Sequence, residues 1–114
     1  MPRVKIKTII SNNCNEKIEY NTKGIKNNNK ICYLEDNISV SIEYFDKITL
    51  IRKDDIKTLT FEFSKKENTK CLCKIDNNTY ILNIYTNKIE IKDNYIEIDY
   101  IIEDNKINYK LYIE

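Results

Sequence analysis

The chain has no histidine and no tryptophan, and alanine and glutamine are also missing. Without histidine there can be no Ser-His-Asp or Cys-His nucleophilic system. His-ligated zinc and a haem held by a proximal histidine are excluded for the same reason. Without alanine, and with few leucines, the chain has poor material for helices. Glycine and proline occur once each, as Gly24 and Pro2. Turns that need positive φ must then be built from Asn and Asp, which tolerate that conformation next best. No apolar run approaches the length of a membrane span. The opening Met1-Pro2-Arg3-Val4-Lys5 has neither the apolar stretch nor the cleavage site of a signal peptide. The expected location is the cytoplasm, where Cys14, Cys32, Cys71 and Cys73 would be reduced thiols.

What is present points to a folded soluble protein. The length, 114 residues, suits one domain over 1–114 with a single core. Hydrophobic residues make up 41% and charged residues 32%, a balance unlike that of disordered chains. The net charge of +1, from 19 basic and 18 acidic side chains, gives no global field to attract nucleic acid or an anionic membrane. Ile, Lys and Asn dominate. Their codons are A/T-rich, so single Lys and Asn residues carry little meaning. Ile is stiff at χ1 and suits a pleated surface, and the nine tyrosines add to the same bias.

Alternation with period two runs through nearly the whole sequence. Val4, Ile6, Thr8 and Ile10 oppose Lys5 and Lys7. Ile18, Tyr20 and Thr22 follow, then a short segment from Lys30 to Leu34, and then Ile38, Val40, Ile42 and Tyr44. Ile48, Leu50 and Arg52 share a face, as do Leu59, Phe61 and Phe63, and Cys71, Cys73 and Ile75. Tyr80, Leu82, Ile84 and Thr86 precede a further segment with Ile89 and Ile91. The pattern closes with Ile96, Ile98, Tyr100 and Ile102, then Ile107, Tyr109, Leu111 and Ile113. Short Asn- and Asp-rich breaks such as Asp36-Asn37, Asp54-Asp55 and Asp104-Asn105 separate the segments and read as turns. About ten or eleven strands joined by turns make an antiparallel meander. So wide a sheet should curl and close rather than leave two long edges. The fold class is all-β, a meander closing into a barrel of about eight to ten strands.

The order of these features resembles the YwiB-like family, uncharacterised bacterial proteins with a calycin-type, lipocalin-like barrel. Val4-Lys5-Ile6-Lys7-Thr8 is similar to the family's first strand, and Ile48-Thr49-Leu50-Ile51-Arg52-Lys53 to its central strand ending in Arg. Leu59 to Phe63, Leu82 to Ile91 and the final hairpin, Ile96 to Tyr100 with Tyr109 to Ile113, also match in order. The chain departs from the family at Asp54-Asp55, where a glycine is usual. It departs again over Cys71 to Asn78, where the family carries an aromatic-Thr-Pro-aromatic-Gly turn. The resemblance implies a calycin barrel over nearly the whole chain, and it implies no activity.

Arg52 is the leading site candidate, because alternation points it into the barrel and a buried guanidinium needs partners. Tyr20, Tyr44, Tyr80, Tyr100 and Tyr109 fall on inner positions, with Thr8, Thr22 and Thr86. An Arg among hydroxyls in an apolar barrel can hold a carboxylate, with the apolar part of the ligand along the Ile wall. The same residues can be structural, with Arg52 closing a barrel end, as the resemblance implies, and Tyr filling the core. Cys71 and Cys73 share one face of a strand. The Cys-x-Cys spacing within a strand is unlike a zinc knuckle, so they read as small apolar core residues. Glu97 and Asp99 read as solvated surface charges. Lys5, Lys7, Lys17 and Lys23, with exposed Tyr33, Tyr85 or Tyr112, are the nearest approach to a nucleic-acid face, diluted by Glu16 and Glu19. Ile9, Ile51, Ile81, Tyr85, Ile101 and Tyr112 break the polar face and would form a homodimer or partner surface if they lie together.

The sequence therefore reads as a non-enzymatic cytoplasmic barrel binding a small apolar or carboxylate ligand, with no cofactor or metal. The alternative is a solid-cored module that uses its outer face.

Overall fold

The period-two pattern becomes ten strands in a computed structural model that describes residues 3–114. They are β1 (Arg3–Asn12), β2 (Lys17–Asn27), β3 (Lys30–Glu35), β4 (Ile38–Tyr44) and β5 (Ile48–Lys53), followed by β6 (Lys57–Phe63), β7 (Asn68–Ile75), β8 (Asn78–Lys92), β9 (Tyr95–Ile102) and β10 (Asn105–Ile113). Each strand pairs antiparallel with the next, and β1 pairs antiparallel with β10, so the sheet closes on itself. No helix among the described residues is long and apolar enough to cross a membrane.

Turn chemistry follows the shortage of glycine. Positive φ occurs at Asn15, Asn28, Asp36 and Asp76, between 53° and 64°. It also occurs at Lys66 and Glu103, which carry no such signal in the sequence. Asp54 fixes the β5–β6 turn differently. Its Oδ1 accepts the backbone N–H groups of Ile56 and Lys57, each at 2.8 Å.

The expected separate strand at Ile89 and Ile91 is instead the continuation of β8. A bulge between Thr86 and Lys88 shifts the alternation by one residue. Ile84, Thr86 and Ile89 therefore face inward along one continuous strand. Inward residues fill the barrel: Ile31, Ile42, Ile84, Ile98, Leu111 and Cys71 have essentially no exposed surface. Phe61, Phe63 and Tyr100 form an aromatic cluster, with Phe63 and Tyr100 centroids 4.7 Å apart. Each such side chain contributes about 1.5–3 kcal/mol of burial.

The sole glycine lies opposite Tyr33 in the β2–β3 ladder. A Cβ on Gly24 would meet the Ile6 side chain, lie 2.5 Å from the Cys32 carbonyl oxygen and lie 3.0 Å from Tyr33 Cβ. Glycine is needed here for close approach, since no positive φ occurs at this residue.

Candidate functional site

Four side chains from three strands meet beneath one end of the barrel. Alternation from Ile31 carries Tyr33 and Glu35 inward on β3, and alternation from Ile48 and Leu50 carries Arg52 inward at the end of β5. Arg52 Nη2 lies 2.8 Å from Glu35 Oε1. That oxygen accepts no hydrogen bond of good geometry, so the contact is a charge pair. The Glu35 side chain is 0% exposed, whereas that of Arg52 is 26% exposed. Tyr33 donates its hydroxyl proton to Glu35 Oε2 at 2.7 Å. Its oxygen also meets the Tyr109 hydroxyl on β10. The Tyr33 proton is already committed to Glu35, so Tyr109 must be the donor in that second bond. The result is a relay, Tyr109 to Tyr33 to Glu35, ending on the Arg52 cation. It crosses the barrel interior from β10 to β3.

Burial sets the chemistry of these hydroxyls. It pushes Tyr33 far above the ordinary tyrosine range, and the neighbouring Tyr109 and Glu35 push it further. Tyr109 is raised chiefly by burial, with the Glu35 charge acting in the same direction and the Arg52 charge pulling it partly back. Tyr100 is raised by burial, and the Arg52 charge pulls it partly back. All three stay neutral donors through the physiological range. Burial also pushes the Cys71 thiol up to about 11, with Cys73 beside it acting in the same direction. A thiol so raised is a poor nucleophile. Among the described residues no three His, Cys, Asp or Glu side chains converge as a metal site.

Outside the relay, Arg52 lines a pocket of about 140 Å³ with Ile38, Asp54, Lys57 and Leu59. Two other polar atoms stand out in the interior. The hydroxyls of Thr8 and Thr86 are fully buried and have no hydrogen-bond partner.

The expected site residues are not all brought together. Arg52, Tyr100 and Tyr109 lie in one neighbourhood, and Thr86 is paired in register with Tyr100. Tyr20 is half-buried on β2. Tyr44 lies at the other end of the barrel, opposite Ile48 in the ladder, where burial and Asp93 raise its hydroxyl. Tyr80 was expected inside but is 54% exposed, because β8 begins above the barrel mouth. Tyr33, expected outside, is buried at the centre of the relay. The residue missed altogether is Glu35. It stands directly before the Asp36-Asn37 turn and reads as one more turn acid. The available signal was Arg52 itself, since an inward guanidinium requires an acceptor.

Glu97 is also not a solvated charge. Its side chain is 12% exposed. It accepts hydrogen bonds from Tyr95, Asn108 and Lys88. The Asn108 bond foremost, with those of Tyr95 and Lys88, lowers its pKa to about 2 against a burial penalty. The basic face expected on the first hairpin is partly neutralised, since Lys7 pairs with Glu19 at 3.4 Å.

Fold and site together define a closed, ten-stranded antiparallel barrel with a charged relay under one mouth. The architecture is similar to the crystal structure of the YwiB protein from Bacillus subtilis, with a TM-score of 0.71 at 18% identity, covering 98% of this chain and 89% of that one. At that identity the likeness is one of fold. No family model matches the chain, and no curated protein sequence matches it.

Proposed function

We propose that this chain is a non-enzymatic, calycin-like barrel that binds a small carboxylate at its mouth, on the outward side of Arg52. The single observation that carries the reading is the division of the Arg52 guanidinium. One side is fixed by the buried Glu35, and the group also lines an open pocket. A guanidinium has five N–H donors in a fixed fork, and Glu35 engages one nitrogen. Lys57 adds a second cation to the rim, while Ile38 and Leu59 supply apolar wall. The Asp54 carboxylate in the same wall is occupied by the turn amides of Ile56 and Lys57, which weakens its opposition to an incoming anion.

Volume narrows the ligand. A space of about 140 Å³ matches roughly four or five waters at about 30 Å³ each, hence a carboxylate of a few carbons. The relay spans the interior below, so a long apolar tail along the Ile wall does not fit this reading. A reducing, cytoplasmic location belongs to the proposal, supported by four cysteines that are all unbridged.

The test is amide NMR of the full chain titrated with two- to four-carbon carboxylates, beside native mass spectrometry of gently purified protein. Binding should shift the amides of Ile38, Asp54, Lys57 and Leu59, and Lys57→Gln should weaken it. Titration without shifts at these positions would overturn the proposal. The second reading, a module that uses its outer face, rests on a different observation, the exposed apolar side chains of Ile51, Leu72 and Ile81.

A further inference from the structure

One row of outward-facing residues runs unbroken across seven strands without a charge. Strand register connects Ile25 on β2 through Cys32 on β3 to Ser41, Ile51, Thr60 and Leu72, ending at Ile81 on β8. In a chain that is 32% charged this is unusual. Leu72 is 43% exposed and Ile81 60% exposed, and Ile25 and Ile51 are exposed as well. The rows on either side differ from it. Two residues toward the mouth stand Lys53 and Lys74. Two residues toward the far end stand Lys30, Glu43, Thr49 and Glu62, cross-strand neighbours in that order. An uncharged centre between charged margins has the anatomy of a protein interface.

We propose that this face pairs with a second copy of the chain across a two-fold axis lying along the row at Ile51. That operation stacks β5 on β5 in opposite directions. Ile51 meets its own copy. Lys53, two residues toward the mouth, comes to lie over the copy's Thr49, flanked at about one strand spacing by Glu43 and by Glu62, whose carboxylate already pairs with Lys47 of its own chain. The encounter occurs twice by symmetry. Neither Lys53 nor Glu43 has an ion-pair partner within the described residues of its own chain. A two-fold axis parallel to the strands would instead set Lys53 against Lys53, so charge selects the first arrangement. Barrel curvature confines the contact to β5 and its neighbours. The contact is therefore smaller than the roughly 800 Å² per partner of a standard interface, and the dimer is concentration-dependent.

Sedimentation velocity of the full chain over a concentration series tests this. The wild type should show a reversible monomer–dimer equilibrium. Ile51→Lys should abolish it, and Lys53→Glu should weaken it about tenfold or more, because two encounters change sign at once. Adding Glu43→Lys to Lys53→Glu should recover a good part of the loss. All three positions are on the outer face, and circular dichroism verifies that the variants fold. A monomer at every soluble concentration overturns the proposal and leaves the row for an unlike partner. A dimer insensitive to both single variants overturns it too, by placing the contact on another face.

Discussion

Glu35 and Arg52 form their 2.8 Å pair although β3 and β5 do not touch, because β4 lies between them and both side chains reach across its inner face. The pair thus joins strands that the hydrogen-bond ladder does not join. Removing the cation alone leaves a carboxylate with no exposed surface, which costs about 3–5 kcal/mol. Arg52→Leu should lower stability by about 3 kcal/mol in urea unfolding. Glu35→Gln added to that background should restore much of the loss, since it removes the buried charge and keeps an acceptor for Tyr33. A loss below about 1 kcal/mol for Arg52→Leu, the range of an exposed pair, would contradict the buried character of the contact.

The relay makes a spectroscopic prediction. Tyr33, Tyr100 and Tyr109 are all held well above the ordinary tyrosine range by burial. In an alkaline titration of tyrosinate absorbance, these three should ionise only together with unfolding. Tyr109→Phe should cost about 1 kcal/mol. Tyr33→Phe should cost more, because it strips one donor from Glu35 and one acceptor from Tyr109. Equal costs for the two would break the assigned direction of the relay.

Glu97 should govern part of the acid limb of stability. Its folded pKa is depressed to about 2, so its contribution is fully present above the unfolded value near 4.3. That contribution is lost as the pH falls from there toward 2. Allowing for screening through the exposed Lys88 amine, the span is about 1–2 kcal/mol. Glu97→Gln should flatten the stability curve across that window and leave it unchanged in slope near neutrality. An unchanged acid limb in the variant would remove Glu97 from the account.

Gly24→Ala should destabilise by about 2 kcal/mol or more. The Cys32 carbonyl oxygen 2.5 Å from the new methyl belongs to the paired backbone and cannot swing aside. Tolerance of alanine within a few tenths of a kcal/mol in thermal melts would show that close approach of β2 and β3 is not what requires glycine at this position.

The two orphan hydroxyls point the other way. Thr8→Val and Thr86→Val exchange a buried, unpartnered oxygen for a methyl group of similar shape. Each should be neutral or stabilising by up to about 1 kcal/mol. A loss of more than 1 kcal/mol by either would reveal a hydrogen-bonding partner such as a buried water.

The fold was legible because Ile alternates cleanly with Lys, Glu and Asn, and because Asn and Asp mark nearly every turn. The pattern even recorded the β8 bulge, as the change of phase between Thr86 and Ile89, although it read as a break between strands. It was silent where both faces carry apolar residues. On β3, Ile31 and Tyr33 alternate with Cys32 and Leu34, so no phase stands out, and Tyr33 and Glu35 were misplaced or missed. Tyr80 failed for another reason. Its phase was right, but alternation cannot tell where a strand rises past the mouth. Glu97 lay on the outer face as expected, yet neighbouring Tyr95, Asn108 and Lys88 wall it in, a feature of side-chain length rather than of register.

Of the ten strand pairings, nine join consecutive strands and one, β1 with β10, fastens the ends of the meander. The nine hairpins can zip locally at small entropic cost, whereas the clasp must gather segments about a hundred residues apart. Until it shuts, the inner edges of β1 and β10 are bare and able to pair with another chain. Conditions that loosen Ile6–Asn12 from Ile107–Ile113 therefore convert a self-contained ring into an open template for domain exchange.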